Sequence, residues 1–295
     1  MRGLIVTFYD FAISPFIEFA FMKRALIACL GLALGCAPIG VFLVLRRMSL
    51  MGDALSHAIL PGAAIGYTLF GLSLGAMTIG GFAAGIAVAL LAGVVTRFTP
   101  LREDASFAAF YLISLVAGVL LISARGPSID LMNVLFGSVL AVDDAGLLLI
   151  GGVTSITLCA LALIFRPLVA EMLDPDFLRT VDGRGGLYHG IFLVLTVLNL
   201  VAAFQALGTL MAVGLMMLPA AAARFWAGSV GRIAIYAAGI ALLAAWTGLV
   251  LSFHWELPTG PAIVLAAGIL YVISVLCGPV GGIIRRRRRH RHLEA

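Results

Sequence analysis

Long apolar runs separated by short polar segments dominate the pattern along the chain. A helix that crosses a membrane needs about 20 predominantly apolar residues. The stretch 187–223 is too long for one helix, and its polar middle (Asn199, Gln205, Gly208) predicts two short or broken helices. The pattern therefore predicts an all-α, polytopic transmembrane helical bundle of about nine spans, or eight as the alternative count: 25–45, 54–72, 77–96, 106–123, 138–164, 187–205, 208–223, 233–252 and 260–280.

Composition supports a membrane protein and excludes several other classes. Hydrophobic residues make up 62% of the 295 residues and charged residues only 11%. A soluble domain carries about 25% charged residues, so this chain lacks the polar surface that a soluble protein presents to water. The isoelectric point near 9.3 therefore does not indicate a nucleic-acid-binding domain, and we expect the lipid bilayer as partner and no nucleic acid.

The positive charges predict the orientation of the spans. With nine spans and an external N-terminus, fifteen Lys and Arg residues fall on the cytoplasmic side and four on the outer side, as the positive-inside rule requires. A single span over 187–223 would put the arginine tail outside. We therefore predict a multi-pass protein of the cytoplasmic (inner) membrane with a cytoplasmic C-terminus.

Three regions follow from this topology. Residues 1–24 carry charges and Pro15 too often to span, and are predicted to form an external interfacial arm. Residues 25–284 form the transmembrane domain, and 285–295 form a basic cytoplasmic tail, most simply an anchor for anionic lipid. The longest polar interruption is the cytoplasmic loop 166–186, and loops carry function more often than spans do.

Sequence motifs for several kinds of chemistry are absent. The chain contains no GxxxxGK[ST] nucleotide-binding loop, no HExxH metalloprotease motif and no GxSxG nucleophile elbow. These absences favour a protein that is not an enzyme. If it moves a solute uphill, the energy comes from a partner or from an ion gradient.

Asp53 and His57 are the first candidate metal ligands. Their i, i+4 spacing puts a carboxylate and an imidazole on one helical face. Ionisable groups near hydrocarbon are costly and rarely lack a partner or a path, and these two ligand types suit manganese, zinc and iron. The alternative is that Asp53 only caps the start of its helix and His57 bonds a neighbouring carbonyl.

His254 and Glu256 lie at an external span boundary and are a second candidate. They would form an external gate for a metal ion. The alternative is an interfacial belt shared with Trp255, because aromatic and amphipathic side chains concentrate at the membrane–water boundary.

Three stretches resemble the permease subunits of bacterial zinc/manganese/iron ABC importers. Residues 46–62, Arg-Arg-Met-Ser-Leu-Met-Gly-Asp-Ala-Leu-Ser-His-Ala-Ile-Leu-Pro-Gly, are similar to the family signature. Residues 174–179, Asp-Pro-Asp-Phe-Leu-Arg, resemble its coupling segment. Residues 205–224 match its Gly-rich run that ends in Pro-Ala-Ala-Ala-Arg.

The resemblance implies a homodimeric permease in the bacterial inner membrane, with two copies of a separate cytoplasmic ATPase and an extracytoplasmic metal-binding receptor. Asp53 and His57 then belong to the translocation pathway. The chain holds no intrinsic cofactor, its cargo is Zn, Mn or Fe, and ATP binds the partner subunit. The expected ATPase-coupling residues are Glu171, Asp174, Pro175, Asp176, Phe177 and Arg179.

Two other transporter classes compete with this interpretation. A chelate, siderophore or cobalamin importer of related architecture would need a wider path. It would have little use for an Asp/His pair. A metal transporter driven by an ion gradient would usually carry several acids in mid-span, whereas nearly all acids here lie outside the spans or at their boundaries. That class also leaves the 166–186 loop without a role.

Overall fold

The computed structural model describes Tyr9 and residues 11–70, 73–123, 140, 142–173 and 185–284. These residues form helices and no β-strand. In chain order the helices are α1 (Ser14–Glu18), α2 (Ala20–Leu45), α3 (Ser49–Phe70), α4 (Leu74–Phe98), α5 (Glu103–Ser123), α6 (Asp144–Leu173), α7 (Gly185–Leu207), α8 (Thr209–Ala223), α9 (Val230–Trp255) and α10 (Thr259–Cys277).

The helices α2 to α10 coincide with the predicted spans. Within the described ranges, six of them are long and apolar enough to cross a membrane: α2, α4, α6, α7, α9 and α10. The all-α, multi-span architecture is confirmed. Nine as the number of crossings stays a prediction.

A glycine separates α7 from α8. Gly208 has φ 82° and ψ 166°, a conformation that is essentially restricted to glycine because a Cβ atom would clash with the backbone. The chain therefore ends α7 at Leu207 and begins α8 at Thr209. The division of the 187–223 stretch into two helices is confirmed.

Two of the helices include residues that were predicted to lie in the arm or in the cytoplasmic loop. α2 begins at Ala20, so Lys23 and Arg24 lie in its first turns and not in the arm, where the sequence analysis put them. α6 continues through Pro167 to Leu173, so residues 166–173 of the predicted loop are helical. Glu171 consequently projects from a helix.

The centre of the bundle is α2, which packs against α6, α7, α8 and α9. Gly40 permits the close approach of α8, because a Cβ atom there would overlap the carbonyl group of Met216. The outward-facing side chains are largely apolar, with Leu148 and Leu163 about four-fifths exposed. Such a surface is stable against lipid tails and not against water.

Small residues bring α3 and α4 into backbone contact. A Cβ atom on Gly62 would overlap the carbonyl of Gly80, and one on Gly66 would overlap the carbonyl of Ala76. Small residues four apart on both helices are a recurrent solution for close packing in membranes, where dispersion forces replace the hydrophobic effect. α5 also packs against α3, where Ser114 Oγ donates to the Ala58 carbonyl at 3.3 Å.

A tight turn joins α2 to α3. Arg47 has φ 61°, and its N–H bonds the Val44 carbonyl at 3.2 Å while the Met48 N–H bonds the Leu43 carbonyl at 2.9 Å. This pair of bonds is the Schellman arrangement that closes a helix C-terminus. It fixes the direction in which α3 leaves α2.

Candidate functional site

Asp53 and His57 lie on one face of α3, as predicted from their spacing. His57 Nε2 is 3.6 Å from Asp53 Oδ1, and their side chains are about one-third and over one-half exposed, respectively. Because α3 begins at Ser49, Asp53 is already in the second turn. The alternative that Asp53 caps this helix is therefore wrong.

Neighbouring helices place an aromatic ring near His57 and thioether groups near the start of α3. The Tyr111 ring of α5 is roughly parallel to the His57 ring, with centroids 6.2 Å apart. The side chains of Met216 and Met217, from α8, lie against Gly52, the residue next to Asp53. α5 thus contacts His57, and α8 packs against the turn of α3 that precedes Asp53.

The two ligand atoms have a separation suited to one metal ion. Donors about 2.1 Å from a common ion can be up to about 4.2 Å apart, and 3.6 Å lies inside that limit. In the described part of the chain, no group of three or more His, Cys, Asp or Glu side chains is placed to hold a metal. One copy of the chain therefore offers two side-chain donors at this point.

A second group of ionisable side chains, which we call the Arg46 cluster, consists of Arg46, Glu103, Glu171 and His189. Arg46 donates to Glu171 Oε2 at 2.8 Å through one terminal nitrogen and approaches His189 Nδ1 at 2.6 Å through the other. His189 Nε2 lies 2.7 Å from Glu103 Oε1. The guanidinium carbon also lies 5.2 Å from the centre of the Phe192 ring, a distance typical of cation–π contacts.

The hydrogen bonds define the proton position on His189. Arg46 has donors only, so Nδ1 must accept, and the proton is then on Nε2, which donates to Glu103. The Arg46 and Glu171 side chains are 9% and 13% exposed, so their charges are largely removed from solvent. Of these four residues, only Glu171 is a functional residue predicted from the sequence.

His254 and Glu256 do not meet the Asp53–His57 pair. The His254 ring stacks on Phe11 at 4.1 Å between centroids, and Nε2 donates to the Phe11 carbonyl at 2.8 Å. Glu256 ends α9 in a left-handed conformation. His254 thus binds the N-terminal arm, and its role in an external gate stays a prediction.

Most of the expected coupling residues lie outside the described residues. These are Asp174, Pro175, Asp176, Phe177 and Arg179. Glu171 is described, on the last turn of α6. The predicted tail 285–295 is also outside the described part of the chain.

Comparison with known proteins adds a family and several relatives. The sequence model of the ABC 3 transport family matches residues 18–278. The manganese import system permease protein ScaB of Streptococcus parasanguinis is 31% identical over 275 residues, covering 93% of this chain and 95% of the relative. The manganese transport system membrane protein MntC of Halalkalibacterium halodurans is 30% identical, covering 94% of each chain.

One solved structure is similar over nearly the whole chain. It is PsaBC from Streptococcus pneumoniae in complex with Fab, with a TM-score of 0.81 and 29% sequence identity. The match covers 94% of this chain and 99% of the matched chain. The nearly complete coverage indicates one common architecture.

Proposed function

Because the chain belongs to the ABC 3 transport family, we propose that it forms the translocation path of an ATP-driven importer for a divalent transition metal, with manganese as the first candidate. It is a permease of the metal ABC importer family and not an enzyme, and ATP hydrolysis belongs to a separate ATPase. It is a multi-pass protein of the bacterial inner membrane. The observation that carries the proposal is the Asp53–His57 pair on α3.

The chemistry of this pair supports a metal cargo. Carboxylate oxygen suits manganese, while imidazole nitrogen suits zinc and iron as well. Both relatives described above are named for manganese import or manganese transport, which ranks manganese before zinc and iron. An ion that must pass on needs ligands good enough to admit it and few enough to release it.

A second copy of the chain would complete the ligand set. Two donors from one chain leave most of the coordination sphere of a metal ion empty, and the Asp53 and His57 side chains remain partly exposed. In a symmetric dimer the same surface meets itself, so both pairs could face one path. We propose that the importer contains a homodimer with Asp53 and His57 of each copy along that path.

The contacts between helix ends support nine spans and a cytoplasmic C-terminus. Phe11, in the arm before α2, touches His254 at the C-terminus of α9. Nine alternating spans put these residues on one side, whereas a single span over 187–223 would separate them. The ends that carry Arg46 and Glu171 meet on the other side, which we propose is the cytoplasmic side because the basic residues concentrate there.

The ATPase is proposed to dock on the segment between α6 and α7. Each copy of the permease is expected to contact one of two ATPase copies. The contact residues are Glu171, Asp174, Pro175, Asp176, Phe177 and Arg179. A metal-binding receptor would deliver the ion on the opposite side. His254 and Glu256 could then act in an external gate after His254 releases the Phe11 carbonyl.

The mechanism follows from these placements. ATP binding closes the two ATPase subunits, and the docked segments move the helices between two packings as rigid bodies. The ion released by the receptor binds the Asp53–His57 pairs and leaves on the cytoplasmic side when the path opens there. The chain supplies the path and the ligands, and the ATPase supplies the free energy.

Co-purification followed by transport measurement tests the proposal. The chain is expressed with ATPase candidates from its genomic neighbourhood, and the complex is reconstituted with the receptor in vesicles. Uptake of manganese, zinc and iron is measured with and without ATP. We expect a stable complex and ATP-dependent uptake of one metal, whereas uptake driven by a proton gradient without any ATPase would contradict the proposal.

A further inference from the structure

Apart from Glu171, the members of the Arg46 cluster have no role in the proposed function, although the cluster joins the ends of four separate helices. Arg46 follows the last residue of α2, Glu103 begins α5, Glu171 lies near the end of α6, and His189 lies in the second turn of α7. The partners are between 86 and 143 residues apart in sequence. The Arg46 guanidinium and the His189 imidazole thus connect helix ends that are far apart in the sequence.

Two members of the cluster flank the segment proposed to bind the ATPase. α6 ends at Leu173 and α7 begins at Gly185, so Glu171 and His189 come just before and just after residues 174–184. The end of α6 and the start of α7 are the first described elements that a displacement of that segment can move. Glu171 and His189, which lie on these helix ends, are both hydrogen-bonded to Arg46.

The other two members begin the path to the metal ligands. Arg46 precedes the tight Arg47 turn, whose two backbone bonds tie the end of α2 to the start of α3. Glu103 opens α5, the helix that carries Tyr111 against His57 and Ser114 against the Ala58 carbonyl. The cluster is therefore linked both to α3, which carries the Asp53–His57 pair, and to α5, which contacts His57.

From this juxtaposition we propose that Arg46, Glu103, Glu171 and His189 are positioning residues that transmit the movement of the ATPase-docked segment to α3 and α5, and so to the Asp53–His57 pair. The inference rests on the proposed function. It assigns the coupling to specific side chains inside the permease, beyond the docking segment itself.

The bonding of the cluster suits this role. Arg46 uses its planar fork to hold two partners in fixed directions, which a lysine ammonium would not do. The Arg46 Nε–H is buried and has no acceptor among the described residues. This unused donor allows the guanidinium to exchange partners in a second packing, as a two-state element requires.

The test compares Arg46→Lys with Arg24→Lys in the reconstituted complex of permease, ATPase and receptor. Arg24 pairs with Asp144 at 3.1 Å at the other end of the bundle, where both side chains are about half exposed or more. Manganese uptake and ATP hydrolysis are measured on the same vesicles. We expect the number of ions transported per ATP to fall about tenfold in Arg46→Lys while hydrolysis continues, and to stay at the wild-type value in Arg24→Lys.

Two further variants separate coupling from folding. Glu103→Gln keeps an oxygen acceptor for His189 and removes only the charge, so it provides the test if Arg46→Lys does not assemble. The double variant Arg46→Glu with Glu171→Arg restores the ion pair in reverse, and we expect it to recover coupling relative to either single change. A role in folding alone would lower the yield of complex and leave the ratio of ions to ATP unchanged.

The outcomes distinguish this inference from the function on which it rests. If the wild-type complex couples uptake to ATP and assembled cluster variants couple equally well, the role of the cluster is refuted and the proposed function stands. If the wild-type complex shows no ATP-dependent uptake of manganese, zinc or iron, both fall together.

Discussion

The close contact between α3 and α4 makes a sharp prediction about stability. Replacing Gly80 by alanine would put a methyl group 3.0 Å from the Gly62 carbonyl carbon and still closer to its oxygen. These are backbone atoms, so no rotamer change relieves the overlap. Gly93→Ala is the matched control, because Gly93 lies on the same helix and has no heavy atom within 4 Å of its new methyl group.

The size of the effect follows from comparing the two glycines. Alanine favours a helix over glycine by about 1 kcal/mol, and both variants gain this term about equally. The difference between their free energies of unfolding therefore isolates the overpacking, which costs about 1–3 kcal/mol in a tight interior. Since the helices themselves must separate, we expect the upper half of that range.

Thermal unfolding of the detergent-purified protein provides the assay. We expect Gly80→Ala to melt below Gly93→Ala by about 4 °C or more, and Gly93→Ala to melt at or above the wild type. Equal melting temperatures for the two variants would show that α3 and α4 are not in backbone contact. The position assigned to the Asp53–His57 pair would then need revision.

Two other predictions concern the connections. Gly208→Ala should lower the free energy of unfolding by about 1–3 kcal/mol, because alanine is strained at φ 82°. The control is Gly239→Ala, in the open part of α9, which should not lower it. Equal unfolding curves for the two variants would refute this prediction. Asp174→Lys combined with Asp176→Lys should abolish metal uptake while ATP hydrolysis persists, whereas Asp144→Lys should leave coupling intact. Retained coupling in the double variant, measured by uptake per ATP, would remove these acids from the docking surface.

Local features of the sequence predicted the helices and the proximity of Asp53 and His57. Apolar runs follow from the thickness of the bilayer, and the break at Gly208 follows from the one residue that tolerates its backbone angles. The shared face of Asp53 and His57 depends only on the 3.6-residue period of a helix. Each of these inferences needs no information about distant parts of the chain.

The Arg46 cluster was not predictable from the same reasoning. His189 carries no functional signal in its local sequence, because its partners Arg46 and Glu103 are 143 and 86 residues away. Only the folded bundle brings these helix ends together. A usable signal existed nevertheless, since the predicted topology put all the members of the cluster on one side of the membrane.

The contact of His254 with the arm was hidden for a similar reason. Phe11 and His254 are 243 residues apart, and an arm rich in aromatic residues has no periodicity that identifies its partner. The end of α6 was misjudged for a different reason. Pro167 and the charges around it resemble a loop, yet proline is tolerated in membrane helices where neighbours satisfy the freed carbonyl.

The central claim is that the metal ion passes the Asp53–His57 pair, and uptake by the double variant Asp53→Asn with His57→Ala tests it most directly. The variant is reconstituted with ATPase and receptor, and radioactive manganese uptake is compared with that of wild-type vesicles containing equal amounts of assembled complex. We expect ATP-dependent uptake to fall to the level seen without ATP. Unchanged uptake by a fully assembled complex would contradict the account, because the ion would then cross without these ligands.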